Sequence, residues 1–387
     1  MTHPSALRRE SSIAHSPEPA HRAEVTTAAA APARFAIVGA AFRAEAFLRI
    51  AAAAPEHFEA VAVVARRPER AAELTARWGV RCVGSIAELP PAADLDFVVN
   101  AAGAGEAVAI IEQLTDAGHA VLTETPAAPD RYSLGRLHEL VGAGARIQVA
   151  EQYHLEPLVS AQLEIARSGV LGEVGEAFVS IAHDYHGFSV LRRALGAGFQ
   201  NATITARRFE ESVQLGPSRY ADPAEATLTT GIRTTAWFDF EGGARGTYDW
   251  DDQQYRSFIR TPTLTIRGTR GELRDDVVRY IDADNQPVVS RLERLAAGGA
   301  GNHEGLFARA YAFEGRRVWS NPFERARMSD EELGVAHALA GMARYVAGGP
   351  ELYSVAEGAQ DMYLVTVLEQ SLRSGRPARS STQPWAL

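Results

Sequence analysis

Apolar residues in this chain change period several times, and the changes mark its elements. Phe35-Ala36-Ile37-Val38 is a short unbroken apolar run with β-branched members, closed by Gly39, and reads as a buried strand. Beyond it Phe42, Ala46, Phe47 and Ile50 fall on one face of a helix. The alternation then repeats: strand Glu59 to Ala65, helix Pro68 to Trp78 opening on proline, strand Leu95 to Val99, helix Glu106 to Ala117, strand Ala120 to Leu122, helix Ser133 to Val141, strand Ile147 to Ala150. Strands and helices alternating at this spacing predict a parallel, doubly wound sheet.

A different pattern follows. Glu176 to Ala182 is read as a strand leading into a helix whose apolar stripe is Phe188, Leu191 and Leu195. Polar and apolar positions alternate in Thr203 to Phe209, Thr227 to Phe240 and Arg245 to Trp250, with Glu241 to Ala244 as a hairpin loop, and again in Leu264 to Arg267, Gly271 to Arg274 and Val277 to Tyr280. The expected product is an open, mostly antiparallel sheet with helices on one face. Asp282 to Gly315 carries no clear period, and its glycine-rich Ala296 to Gly305 is read as a loop. Ser329 to Glu332 is a capping-box signature opening a helix through Tyr345, Val355 to Ser374 is the last helix, and Arg376 to Leu387 reads as tail. The expected organisation is a disordered tail at 1–33, rich in Ala, Pro, Ser and Glu, a dinucleotide-binding domain at 34–150, and an α+β substrate-binding and oligomerisation domain at 151–387.

Composition narrows the partners. With 46% hydrophobic and 22% charged residues the balance is that of an ordinary globular chain, and a net charge of −9 without a long basic run argues against nucleic acid or anionic membranes. The single cysteine, Cys82, excludes an internal disulfide and reads as a small buried residue near a sheet edge, in keeping with a reducing cytoplasm. Arg8-Arg9 lacks the apolar segment of a twin-arginine signal, and no stretch suffices to span a bilayer, so a cytoplasmic location is expected.

The first strand-turn-helix is the candidate cofactor site. Such a turn aims free backbone N–H groups and the positive helix end at one spot, which suits a pyrophosphate. The three glycine positions of the dinucleotide motif are here Gly39, Ala41 and Ala44, so two carry an added methyl. Where NAD-binding chains place a carboxylate for the ribose, at the end of the second strand, this one has Ala65 followed by Arg66-Arg67. That substitution favours NADP over NAD.

These segments together resemble the Gfo/Idh/MocA oxidoreductases, the family of glucose-fructose oxidoreductase and inositol dehydrogenase. The likeness runs through AIVGAAFRAEAF, VVARRPERAAELTARWGV, LDFVVNAA, AGHAVLTETP, IARSGVLGEVGEA, HDYHGFSVLRRALG, LTIRGTRGEL and AQDMYLVTVLEQSLRSGRP. It implies a Rossmann-like domain joined to an α+β domain whose open sheet face pairs subunits into a homodimer or homotetramer. It also implies a nicotinamide cofactor held by Gly39, Ala40, Ala41, Phe42, Arg43, Arg66, Arg67, Ala101, Glu124 and Thr125, and a small-molecule substrate. The family's Glu-Lys-Pro falls on Glu124-Thr125-Pro126, and its paired Asp and His fall on Ala182 and His186, so lysine and aspartate are both replaced.

His186 remains as the proton carrier. It is expected just before a helix, whose positive end would keep the imidazole neutral. Tyr153 is a second candidate, as proton or hydrogen-bond donor, with His183 and Tyr185 behind it and packing on the domain interface as their simpler role. His183 and His186 supply only two ligands for a metal, and no metal site is expected. Trp237, Phe238, Trp250 and Tyr255 are candidates for the open sheet face or for the substrate wall. The expected activity is hydride transfer between a nicotinamide and a sugar, polyol or related hydroxyl, carbonyl or imine. Two alternatives are a redox-neutral sugar-modifying lyase or glycosidase with tightly held NAD(P), and a nucleotide-binding sensor without catalysis.

Overall fold

The computed structural model describes residues 31–297, 307–324 and 326–387. The sequence-predicted tail at 1–33 and loop at 296–305 fall largely outside these residues.

The first half of the fold is a six-stranded parallel sheet. Its elements are β1 (Ala33–Val38), α1 (Phe42–Ala53), β2 (Phe58–Val64), α2 (Pro68–Trp78), β3 (Arg81–Val83), β4 (Phe97–Asn100), α3 (Ala104–Asp116), β5 (Val121–Thr123), α4 (Arg131–Gly142) and β6 (Ile147–Val149). The strand order β3-β2-β1-β4-β5-β6 reverses direction between β1 and β4, which opens a crevice at their C-terminal ends. Phe35, Ile37, Val98 and Val99 are fully buried, as an all-parallel sheet covered on both faces requires. The three-residue edge strand β3 carries too little pattern to be read from sequence, and Cys82 within it is half-buried rather than buried.

The second half comprises α5 (Pro157–Arg167), β7 (Val174–Ser180), α6 (Asp184–Leu195), β8 (Ala202–Gln214), β9 (Leu228–Phe240), β10 (Arg245–Asp251), β11 (Thr263–Gly268), β12 (Gly271–Arg274), β13 (Val277–Ile281), β14 (Pro287–Ala297), β15 (Phe307–Phe313), β16 (Arg316–Ser320), α7 (Asp330–Val346), α8 (Val355–Ser374) and β17 (Ala378–Arg379). Eleven strands form one sheet in the order β16-β15-β14-β13-β12-β11-β7-β10-β9-β8-β17. Only β7 and β10 pair in parallel. The region 282–315, without a legible period in the sequence, contributes β14 and β15.

One face of this sheet packs on helices, with Phe188 of α6 edge-on to Phe238 and Tyr248. The other face leaves Phe209 and Trp237 exposed. Phe238 and Trp250, both candidates for the open face, are instead buried, since alternation along β9 and β10 turns them to the helical side. The C-terminal segment is not a loose tail: β17 pairs with β8, and Trp385 is buried with its indole N–H donating to Gln360. Among the described residues no helix is long and apolar enough to cross a membrane.

Candidate active site

Two clefts meet at the N-terminus of α1. The first, about 850 Å³, lies over the crevice of the parallel sheet and is walled by Gly39, Ala40, Ala41, Arg66, Arg67 and Ala101 among others. Gly39 sits at φ +114°, and a β-carbon there would come 2.7 Å from the Ala101 carbonyl oxygen, so only glycine lets the turn approach β4 this closely. Ala41 at the start of α1 offers no side-chain cap, which leaves the helix end facing the cleft. A pyrophosphate fits this cradle, and the added methyls of Ala41 and Ala44 do not close it: Ala44 is turned wholly into the core. At the far end Arg66 is ion-paired with Glu106 at 3.2 Å, and Arg70 is tied to Glu45, Glu73 and the Ala40 carbonyl.

The second cleft, about 820 Å³, gathers Phe42, Arg43, Glu124, Thr125, Tyr153, His183, Tyr185 and His186. The predicted cofactor residues are thus divided, six on the first cleft and four on the second. Phe42 is half-buried and lines this cavity instead of completing the apolar stripe of α1.

His186 lies within the first turn of α6, not before it, because the helix begins at Asp184 with His183 as its N-cap. What orients its ring is Glu151, directly after β6. Glu151 Oε2 is 2.5 Å from His186 Nδ1, and Glu151 Oε1 accepts the Tyr153 N–H at 3.1 Å. Both side chains are buried, so the carboxylate has no competing water. With Nδ1 engaged, Nε2 is the nitrogen left for the cavity that His186 lines.

The surrounding aromatics hold the imidazole in place. Tyr185 and Tyr153 centre 4.4 and 4.6 Å from it, and His183 5.0 Å away. His183 and Tyr185 therefore belong to the cavity wall, whereas His154 points away and stacks on Tyr353. Burial pushes the Tyr153 and Tyr185 phenols well up, and that of Tyr255 to about 12, so all three remain protonated donors at neutral pH. The turn before α6 is tight: Asp184 adopts φ +40° with its N–H donating 2.7 Å to Tyr248 Oη, and a β-carbon on Gly187 would come 2.6 Å from the Tyr248 ring. Ala182, at the position of the family's aspartate, is fully buried.

One cation occupies the centre. Arg43 Nη2 is 2.9 Å from Glu124 Oε1, and Nη1 is 3.8 Å from Glu331. The pairing is not aligned for hydrogen bonding, so the buried Nε and Nη2 have no acceptor. Burial works against the charged guanidinium, and Glu124 and Glu331 outweigh it, for a net upward shift. Among the described residues no group of three or more His, Cys, Asp or Glu side chains is disposed to hold a metal ion.

Residues 33–150 match the family model GFO_IDH_MocA, described as an oxidoreductase family with an NAD-binding Rossmann fold. The chain carries the NAD-binding domain of the Gfo/Idh/MocA oxidoreductases. No curated protein matches the chain in sequence. Solved structures share the fold of this chain beyond the matched segment. An oxidoreductase from Agrobacterium radiobacter in complex with NAD+, L-tartaric acid and magnesium is 17% identical, over 89% of this chain and 98% of its own, with a TM-score of 0.61. A levoglucosan dehydrogenase with NADH is 16% identical over 91% and 100%, TM-score 0.65, and GenD2 from gentamicin A biosynthesis with NAD is 18% identical over 92% and 98%, TM-score 0.63.

Sequence reasoning missed two parts of this site. Glu151 is an acid standing immediately beyond a buried strand, at the sheet end where such folds place ligands, and that position is the signal that could have found its role. Arg219 and Arg256, on loops remote in sequence, line the second cleft as well and gave no signal.

Proposed function

We propose that this chain is an NAD(P)-dependent dehydrogenase of a sugar, polyol or related small hydroxylated molecule, working with His186 as the proton carrier and Glu151 as its positioning partner. The observation that carries the reading is the buried Glu151–His186 contact at the mouth of the cofactor crevice. It costs desolvation of an acid, which a purely structural histidine would not need. In this reading Gly39, Ala40 and Ala41 hold the pyrophosphate, and Phe42, Arg43, Glu124 and Thr125 border the nicotinamide end. The nicotinamide supplies the hydride acceptor or donor. His186 Nε2 takes the hydroxyl proton of an alcohol as its carbinol C–H is lost as hydride, and returns the proton in the reverse direction. Thr125 cannot carry the charge of the family's lysine; Arg43, with two unpaired buried donors in the same cavity, supplies that positive charge to the oxygen, and Tyr153 and Tyr185 add neutral donors.

NADP is the preferred cofactor in this reading, since Arg66 and Arg67 stand where a ribose-binding carboxylate would otherwise be. The neighbours described above are named with NAD+ or NADH, which keeps NAD as the alternative. The sensor reading is disfavoured by the intact His186–Glu151 pair, and no observation singles out the redox-neutral one. The open face bearing Phe209 and Trp237 is assigned to pairing of subunits. The reading is tested by incubating the protein with NADP+ or NAD+ and a panel of sugars and polyols while following the absorbance of the reduced nicotinamide. Cofactor reduction with a member of the panel is expected; product formed without net cofactor change would overturn it in favour of the redox-neutral alternative.

A further inference from the structure

On the second cleft two arginines stand without an acid of their own. Arg219, from the loop between β8 and β9, and Arg256, from the loop after β10, both line it. Arg219 lies with its guanidinium carbon 3.6 Å from the centre of the Phe42 ring. Neither side chain forms an ion pair or hydrogen bond with a described residue, although acids are close by.

Those acids are committed elsewhere. Asp276 is paired with Arg291 at 2.7 Å and Asp330 with Arg294 at 2.9 Å. Glu124 and Glu331 flank Arg43, and Asp275 Oδ1 accepts the Leu264 N–H at 3.1 Å. Glu156, the remaining carboxyl on the wall, has its pKa pushed up to about 8 by burial and by neighbouring carboxylates, and is mainly neutral at pH 7. Arg219 is itself shifted downward by burial and by the charges of Arg256 and Arg43, with Glu331 only partly compensating. Like charges gathered without a counterion are unfavourable unless something else relieves them.

We propose that Arg219 and Arg256 bind an anionic group of the substrate, so that this site acts on an acid form of a sugar or polyol rather than on a neutral one. The inference rests on the dehydrogenase reading for the word substrate, and on the two arginines for the anion. A guanidinium fork matches the two oxygens of a carboxylate, and a ring stacked beneath it restricts its rotation. The cofactor's own phosphates are the other source of negative charge. Their cradle, however, is Gly39 to Ala41 on the first cleft, whereas Arg219 and Arg256 face the cavity that contains His186.

The test is calorimetric titration of the whole protein with NADPH and with NADH, then of the protein saturated with the tighter of the two with D-gluconate and with D-sorbitol, which differ by the carboxylate. Gluconate is expected to bind at least about tenfold more tightly. That preference should shrink with added salt and disappear in the Arg219→Gln/Arg256→Gln double variant, whose exposed loop positions leave folding intact. Equal affinity, no gluconate binding, or a preference that survives in the variant would overturn the inference, as would a variant that loses the nicotinamide nucleotide instead of gluconate. If neither NADPH nor NADH gives heat, the dehydrogenase reading fails, and the gluconate and sorbitol arms on the protein alone still decide the anion site.

Discussion

At the scale of single residues the site depends on a carboxylate that the sequence did not advertise. His186 was legible because it stands in a short polar stretch between a strand and a helix. Glu151 was not, because the contact joins residues 35 apart and only the fold brings the segment after β6 to the first turn of α6. If Glu151 sets the imidazole's orientation, Glu151→Gln should lower kcat by about tenfold to a hundredfold with KM nearly unchanged, and His186→Asn by about a hundredfold or more. Steady-state kinetics checks this; an unchanged kcat in Glu151→Gln would reduce Glu151 to packing. Glu156 offers a second check. Its folded pKa of about 8 lies above the ordinary 4.5, so the folded state holds a proton that the unfolded chain releases between these values, and stability falls as pH rises through that window. Glu156→Gln should therefore raise Tm by several degrees above pH ~8 and leave it nearly unchanged near pH ~4, as thermal melts across pH would reveal.

At the scale of elements the sequence was read well wherever a helix or strand had its own period. Helices Pro68–Trp78 and Val355–Ser374 and strand Gly271–Arg274 coincide with their predicted limits, and the Ser329 capping box forms with Glu332. Two of the failures share a cause. β3 and β17 are three and two residues long, and exist because a neighbouring strand offers them hydrogen bonds, not because their own residues prefer it. The element proposed to choose between NADP and NAD is the turn from β2 into α2, where Arg67 is the N-cap. Arg66 is already held by Glu106 in an exposed pair, a contact that costs little to exchange for a phosphate. Replacing both arginines by alanine should weaken NADP+ at least about tenfold while leaving NAD+ within about twofold, measured by titration of each cofactor. Equal losses for both would show that the turn reads no 2′-phosphate.

For the whole molecule, the architecture was legible because two periods divide the chain: alternating strand and helix up to Ala150, and alternating polar and apolar strands after Ala202. What the pattern could not tell is which side of the large sheet meets solvent, since Trp237 and Phe238 are adjacent aromatics on opposite faces. The structure separates them. Trp237 is 49% exposed and Phe209 53%, on β9 and on the neighbouring β8, while Phe238 is 1% exposed against α6. A sheet face that presents large apolar side chains to water is a liability for a monomer, and burying it against a second copy removes that cost. Arg233, which stands on that face, does not oppose self-pairing, since it already has its own acid, Asp249. Trp237→Glu would place an unpaired charge in that contact. It should convert an oligomer into a monomer in sedimentation velocity, with cofactor binding retained, because Trp237 touches neither cleft. A wild-type chain that sediments as a monomer would mean that the open face serves something other than self-association.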